Sequence, residues 1–304
     1  MSSIVVLGGS GFVGKSFIIS RATEVPIKAV SRHTPTNPSL LKRAQWFLAD
    51  MAEINSLDPI VTEGDIVINL IFGSGEYEEN SQVLKNVINT CLRKKVKRLI
   101  HCSTATVVGR SKDDIIDESA VCMPVTAYEK SKYLLEQQVL MSATADFEVV
   151  IVRPTAIIGP GGKNLMKLAV NLKNSFSLIN HLKAYLNGRR PMHLVPVDMV
   201  TAALEHLIFL KKPLGREVFI ISADEDPSNN YISVEYYLMN ALGLKTRSAP
   251  LFTIHPWLLS VLLKLRGRSD TNIHREYSSK KLLSTGFTFR TQLKDAVEAF
   301  GKSL

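Results

Sequence analysis

Ile4-Val-Val-Leu7-Gly8-Gly9-Ser10-Gly11-Phe12-Val13-Gly14 is the stretch that decides the fold. Four apolar residues in a row suit a short strand buried on both faces. The glycines behind them allow a tight turn, and the pattern from about Phe12 to Arg21 suits a helix. Gly8, Gly11 and Gly14 give Gly-x-x-Gly-x-x-Gly, while Gly9, Gly11 and Gly14 also satisfy Gly-x-Gly-x-x-Gly. A helix that opens directly behind a strand offers free backbone amides to a diphosphate, and glycine lets phosphates approach closely. The spacing alone is a weak signal. Placed after a strand at the start of the chain, it predicts dinucleotide binding at Gly8, Gly11, Phe12, Val13 and Gly14. The competing reading is a tight turn with no ligand.

Strand-like and helix-like segments alternate outward from this turn. Ile27-Lys-Ala-Val30, Trp46-Phe-Leu48, Ile66-Val-Ile-Asn-Leu70, Arg98-Leu-Ile-His-Cys102 and Glu148-Val-Val-Ile-Val152 read as strands. The stretches from about Glu79 to Lys94 and from about Ala127 to Met141 read as helices. This alternation predicts an α/β fold, a Rossmann-type doubly wound parallel sheet that binds ligands beyond the carboxyl ends of its strands. After Pro154 the pattern changes. Gly159-Pro-Gly-Gly162 reads as a turn, followed by a helix-like stretch from about Asn164. Val195-Pro-Val-Asp198 then leads into a helix through Leu210, and Val218-Phe-Ile-Ile221 is one more strand. The remainder reads as mostly helical, with a polar loop at Asp224 to Asn230. The expected division is a dinucleotide-binding domain of residues 1–160 with 192–222 and a smaller, mainly helical C-terminal substrate-binding domain of residues 161–191 with 223–304.

The 304 residues are 45% apolar and 21% charged, an ordinary globular balance that excludes disorder of the whole chain. Three cysteines, Cys91, Cys102 and Cys122, show no Cys-x-x-Cys spacing, and the seven histidines show no His-x-x-x-His pair. A disulfide scaffold is excluded and no metal site is expected. A reducing, cytoplasmic location is expected, with no leader segment before Ile4. The apolar run Trp257-Leu-Leu-Ser-Val-Leu-Leu263 falls far short of the ~20 residues that span a bilayer. Pro256 to Arg268 could still form an amphipathic helix with Lys264, Arg266 and Arg268 on its polar side, although a core helix is the commoner use of such a stretch. The net charge of +9 suits an anionic small molecule; no nucleic-acid motif accompanies it. Its densest run, Arg93-Lys-Lys-Val-Lys-Arg98, reads as a solvated helix end near the negative pole of the helix dipole.

Two further groups carry chemistry. Beyond the second strand stands Val30-Ser31-Arg32-His33, where an NAD site usually places an acidic residue for the ribose hydroxyls. Arg32 can pair with a 2′-phosphate, so NADP(H) is favoured and NAD(H) remains possible. Asp50, after the third strand, is a candidate contact for the adenine end. The second group is Tyr128-Glu-Lys-Ser-Lys132, which sets Tyr128 and Lys132 on one helical face. A nearby ammonium favours the phenolate, so the lysine is expected to lower the tyrosine pKa and to hold the nicotinamide ribose. A Tyr-x-x-x-Lys spacing is common by chance. Here it accompanies a strand ending in Ser103 and Thr104, either of whose hydroxyls could bind a carbonyl oxygen beside the tyrosine.

With these residues in place, the chain resembles the extended short-chain dehydrogenase/reductases, in particular the NAD-dependent epimerase/dehydratase group that acts on nucleotide sugars. The resemblance covers most of residues 1 to 222. Ser103-Thr-Ala-Thr-Val-Val-Gly109 resembles the family's Ser-Ser-x-x-Val-Tyr-Gly, with Thr104 on the catalytic hydroxyl position and Val108 in place of a non-catalytic tyrosine. Arg153-Pro154 with Gly159-Pro160-Gly161 resembles Arg-Pro…Tyr-Gly-Pro-Gly. Asn164-Leu-Met resembles the segment that binds the nucleotide diphosphate, and Val195-Pro-Val-Asp198 resembles the Val-x-Asp segment. The family arginine before that aspartate is out of register: Pro191 stands there, beside Arg189 and Arg190.

The resemblance implies Thr104, Tyr128 and Lys132, with Ser103 in support, as catalytic residues, and Thr104, Asn164 and Arg190 as substrate contacts. The family's dehydratases carry Asp-Glu directly after the catalytic threonine; this chain has Ala105 and Thr106, which removes elimination. What the resemblance then implies is a reductase of a 4-keto nucleotide sugar in surface-polysaccharide precursor synthesis, consuming NADPH. A 4-epimerase with tightly held NAD and a non-catalytic dinucleotide-binding subunit are the alternatives. A homodimer is also implied, built from the helices at about Glu79 to Lys94 and Ala127 to Met141. Val83, Val87, Leu134 and Leu135 are its apolar candidates unless they face the subunit's own sheet.

Overall fold

In the computed structural model, the described residues are all of the chain except 1, 21–24, 74–75, 112, 175–183, 185–186, 246–274 and 290. The stretch Pro256 to Arg268 therefore lies outside the described residues.

Strand β1 (Ile4–Leu7) is buried at every position, and the glycine turn leads from it into α1 (Phe12–Ser20). There follow β2 (Ile27–Ser31), the single turn α2 (Pro38–Leu41), β3 (Gln45–Leu48), β4 (Ile66–Asn69), α3 (Tyr77–Arg93) and β5 (Arg98–Cys102). A 3-10 turn at Ala105–Val108 and the two-residue β6 (Ile115–Ile116) precede α4 (Ala127–Met141). The second half holds β7 (Glu148–Pro154), β8 (Ala156–Ile158), α5 (Met166–Asn174), β9 (Leu194–Pro196) and α6 (Val197–Phe209). It closes with β10 (Arg216–Ile221), α7 (Tyr231–Ala241), β11 (Glu276–Tyr277), α8 (Lys280–Leu283) and α9 (Leu293–Lys302).

Seven strands form one sheet in the order β10-β7-β5-β4-β1-β2-β3. The pairings among β1 to β5 and β7 are parallel, in register from Ile4 against both Ile27 and Ile66. From β1 the chain winds outward to β3, then crosses back so that β4 lies on the other side of β1. Such a switch point opens a crevice beyond the carboxyl ends of β1 and β4. The near-continuous apolar runs of these strands follow from burial on both faces.

The chain divides into two compact units. The first is Met1–Val107, Pro124–Arg153 and Val200–Phe219; the second is Val108–Met123, Pro154–Met199 and Ile220–Leu304. Relative to the expected division, residues 108–123, 154–160, 192–199 and 220–222 fall in the second unit. For Val108–Met123 the reason is a pairing no local pattern announces: β6 pairs in parallel with β11, whose residues lie some 160 positions later in the chain. In the first unit, Leu84, Val87, Ile88, Leu135 and Val139 of α3 and α4 pack with strand residues such as Val5, Val67, Leu99 and Val149. In the second, α5, α7 and α9 pack around Ile158, Leu172, Leu238 and Phe300, with a small parallel pair of β8 and β9.

One expectation is corrected here. The basic run Arg93–Arg98 is not a solvated helix end throughout. Arg93 ends α3 and pairs with Asp58 and Asn55. Arg98 begins β5, is 1% exposed, and pairs with Glu148 at 2.5 Å while bonding the carbonyls of Leu207 and Leu210. A buried guanidinium needs its donors filled, and the ends of β7 and α6 supply the acceptors.

Candidate active site

The glycine turn is shaped by close approach. Gly8 has φ of +83°, the left-handed region that favours glycine. A Cβ on Gly14 would lie 2.4 Å from the Gly8 carbonyl oxygen and 2.8 Å from Gly9 Cα, so α1 can begin against the turn only with glycine there. Beside the turn is a cleft of about 630 Å³, lined among others by Gly8, Ser10, Gly11, Arg32, Asp50 and Phe72. Gly8, Gly11, Arg32 and Asp50 thus share one cavity, as four of the expected dinucleotide contacts should. Phe12 and Val13 form the first turn of α1 behind it. Ser31 is turned inward, its hydroxyl donating to the His33 carbonyl at 2.6 Å, while Arg32 is exposed at the rim. Asp50 accepts the Ala52 amide at 3.0 Å, which fixes the loop after β3. A bare backbone cradle, a guanidinium and a carboxylate along one cleft fit an extended diphosphate-bridged dinucleotide.

The acid/base group stands where β5 ends and α4 begins. A capping box starts α4: Thr126 Oγ1 accepts the Glu129 amide at 3.2 Å, and Glu129 Oε2 accepts the Thr126 amide at 3.0 Å. Tyr128 lies in that first turn and Lys132 one turn later. Lys132 is buried, and its Nζ donates to the Cys102 carbonyl at 3.0 Å. Phe72, just past β4, lies edge-on to Tyr128 with ring centroids 5.3 Å apart, and the Lys132 ammonium stands 4.4 Å from its ring centroid. Thr104 follows β5, with its hydroxyl oxygen 3.1 Å from that of Thr106. One turn below on α4, Glu136 and Arg153 form a buried two-pronged ion pair at 2.7 to 3.1 Å.

The electrostatics depart from the sequence expectation. Burial pushes the Tyr128 phenol above the ordinary tyrosine value and the Cys102 sulfur adds to this, against a smaller opposing pull from the Thr104 hydrogen bond. Lys132 is not among the causes of the Tyr128 shift; its ammonium donates to the Cys102 carbonyl and lies over the Phe72 ring. Burial also pushes Lys132 itself down, partly offset by Cys102 and Glu136. The arrangement keeps Tyr128 protonated near neutral pH, which suits a proton donor.

Thr104, Tyr128 and Lys132 are brought together by the fold. Ser103 is buried, but its hydroxyl has no hydrogen-bond partner among the described residues. Asn164 and Arg190 belong to the second unit. The Asn164 amide donates to the Ile157 carbonyl at 2.7 Å, so that side chain closes its own loop, and the Arg190 carbonyl accepts the Tyr231 amide. The sequence reading missed Phe72, although its place beyond the carboxyl end of β4 is where such sheets bind ligands. Thr106, read only as the lack of an acid, also belongs to the group. No set of three or more metal-ligating side chains occurs among the described residues, and no helix among them is long and apolar enough to cross a membrane.

The profile of the NAD dependent epimerase/dehydratase family matches residues 4–194, and the chain belongs to that family of extended short-chain dehydrogenase/reductases. Among curated proteins, it is 27% identical over 273 residues to the sterol-4-alpha-carboxylate 3-dehydrogenase, decarboxylating, of Bos taurus, covering 83% of this chain and 72% of the relative. Among solved structures, MoeE5 in complex with UDP-glucose and NAD superposes with a TM-score of 0.71 at 19% identity, over 99% of this chain and 98% of that one. RMD from Pseudomonas aeruginosa complexed with NADPH gives 0.70 at 17% identity, over 100% and 99%. At such identities these two likenesses establish the shared fold.

Proposed function

We propose that the protein is an NADPH-dependent reductase in which Tyr128 protonates the oxygen of a ketone, and that the ketone is the 4-keto group of a nucleotide-diphosphate sugar. The convergence of Thr104, Tyr128 and buried Lys132 carries this reading. A nicotinamide dinucleotide bound along the glycine-turn cleft supplies the hydride. Tyr128 gives up its phenolic proton as charge develops on the substrate oxygen. Thr104 donates a hydrogen bond toward that oxygen, an interaction strongest in the transition state. Lys132 keeps positive charge beside the phenol and has donors to offer a ribose hydroxyl. Phe72 keeps water from the ammonium. Ala105 and Thr106 offer no carboxyl for elimination, which favours reduction over dehydration. Arg32 at the cleft rim favours the 2′-phosphate of NADPH, and the net charge of +9 suits a diphosphate substrate.

A second reading draws on the curated relative. Oxidation of a sterol 4-carboxylate would use the same three residues, with Tyr128 as proton acceptor, and it makes no demand for a diphosphate contact. One assay separates the two. A 4-keto-6-deoxy sugar nucleotide is incubated with NADPH or NADH, and a sterol 4-carboxylate with the oxidised cofactors, following nicotinamide absorbance. The expected result is consumption of NADPH, faster than of NADH, with a 4-hydroxy sugar still on its diphosphate. Tyr128→Phe should lower the rate by about 10²- to 10⁴-fold, the usual contribution of a general acid. Interconversion of two 4-hydroxy sugars without net absorbance change would establish a 4-epimerase instead.

A further inference from the structure

Of Phe72, Tyr128 and Lys132, Phe72 alone lines the cleft beside the glycine turn. Its ring also stands edge-on to Tyr128, with centroids 5.3 Å apart, and its centroid is 4.4 Å from the Lys132 ammonium. The ring is thus a wall shared by two places that must act on one substrate. The backbone that carries it is pinned on both sides. Asn69 Oδ1 accepts the Ile71 amide at 3.0 Å, and Asn80 Oδ1 accepts the Gly73 amide at 2.8 Å. A Cβ on Gly8 would stand 3.4 Å from Ile71 Cγ1 and from the Leu70 carbonyl carbon, so this segment packs directly on the glycine turn.

An ammonium has three donors and no acceptor. Lys132 is 4% exposed and gives one of them to the Cys102 carbonyl at 3.0 Å. The Phe72 ring attracts its charge where water is kept away. Tyr128 is 47% exposed, and the Phe72 ring bounds it on the cleft side. Hydride transfer needs the reactive end of a dinucleotide in this cleft to come to rest beside the ketone that Tyr128 protonates. We propose that Phe72 is a positioning residue, whose ring stops the reactive end of the dinucleotide and holds the phenol and the ammonium in place to meet it. The inference rests on the reading of the cleft as the dinucleotide site and of Tyr128 as the proton donor. It adds the residue that brings the two into register. An aromatic ring offers a π face to the cation and a directional contact to the phenol ring; an aliphatic chain of similar volume offers neither. Loss of register lowers turnover even with the cofactor bound, because rate depends steeply on the orientation of the reacting groups.

The test uses Phe72→Leu, which keeps apolar bulk against the core on which Phe72 packs, and Phe72→Tyr, which keeps the ring. Each protein is titrated with NADPH and with 2′-phospho-ADP-ribose, which lacks the nicotinamide. NADH and ADP-ribose are run beside them, since either dinucleotide reads the same contact. Phe72→Leu should weaken the dinucleotide about tenfold and leave the nicotinamide-free ligand within about twofold of the wild type. A merely structural role would weaken both ligands together, because both use the glycine turn. This readout needs no substrate. In turnover at saturating cofactor, Phe72→Leu should lower kcat by about tenfold, and Phe72→Tyr should restore most of the rate and of the affinity. Equal loss for the two ligands, no loss for either, or a tyrosine variant no better than the leucine one overturns the proposal. Full turnover by Tyr128→Phe would remove the proton-donor reading itself, and a wild type that binds neither dinucleotide would remove the cleft as the cofactor site. An inactive Tyr128→Phe beside a normal Phe72→Leu removes only the role of Phe72.

Discussion

His101 is 1% exposed on β5, with Nδ1 3.1 Å from the Asn69 amide nitrogen. Asn69 Oδ1 accepts the Ile71 amide at 3.0 Å, so it is the Asn69 NH₂ that faces His101, and Nδ1 is the acceptor. Burial, with the Lys132 ammonium adding, pushes His101 down to about 3 from 6.5. The unfolded chain therefore binds a proton at this residue across a pH range in which the folded chain does not. Stability from His101 is complete above 6.5 and is lost as pH falls from there toward about 3, at about 1.4 kcal/mol per pH unit. Urea titrations at pH 7 and pH 5 should show that loss in the wild type and a shallower one in His101→Gln; equal losses in both would assign it elsewhere. That His101 and Arg98 would be buried could not be read from Arg98-Leu-Ile-His-Cys102. A parallel strand covered on both faces still admits polar side chains when distant groups fill their hydrogen bonds, and those partners have no local signature.

At the scale of elements, α4 lies where the sequence reading put it, from about Ala127 to Met141, and the structure adds the capping box of Thr126 and Glu129 that opens it. The capping box also holds the first turn, which carries Tyr128. Thr126→Ala should cost about 1 kcal/mol in chemical denaturation, the usual price of an N-cap. It should also lower kcat, since fraying of that turn moves the phenol off its place against Phe72; a stability loss with kcat intact would separate the cap from the chemistry. The short strands were not legible. β6 and β11 have two residues each and β8 and β9 three, too few to show a period of two, and they exist because they find each other. Asn164, a substrate contact by family resemblance, is exposed, and one of its amide hydrogens is taken by the Ile157 carbonyl of the adjoining strand.

For the whole molecule, the open question is assembly. Val87 and Leu135 are buried against the unit's own sheet, and Val83 packs on the same core, so three of the four candidate interface residues serve the fold. Leu134 is 45% exposed and Met141 78%, both on α4, with Leu92 exposed on α3. We propose a two-fold dimer through these helices. Sedimentation at micromolar concentration should show a dimer in the wild type and a shift to monomer in Leu134→Glu. A wild-type monomer, or a variant that remains dimeric, would place the interface elsewhere or remove it.

The sequence by itself determined the α/β alternation, the dinucleotide turn at Gly8, Gly11 and Gly14, and the Tyr128–Lys132 pairing on one helical face. Each rests on short-range regularities: the strand and helix periods, the steric freedom of glycine and the four-residue spacing of a helix turn. Tertiary structure alone decided that Lys132 answers the Cys102 carbonyl and the face of Phe72, and that desolvation moves the Tyr128 pKa upward. It also decided that Val108–Met123 packs with residues far along the chain. The physical reason is common to all of these: desolvation and hydrogen-bond satisfaction depend on which distant segments close around a group, and a local pattern carries no record of that closure.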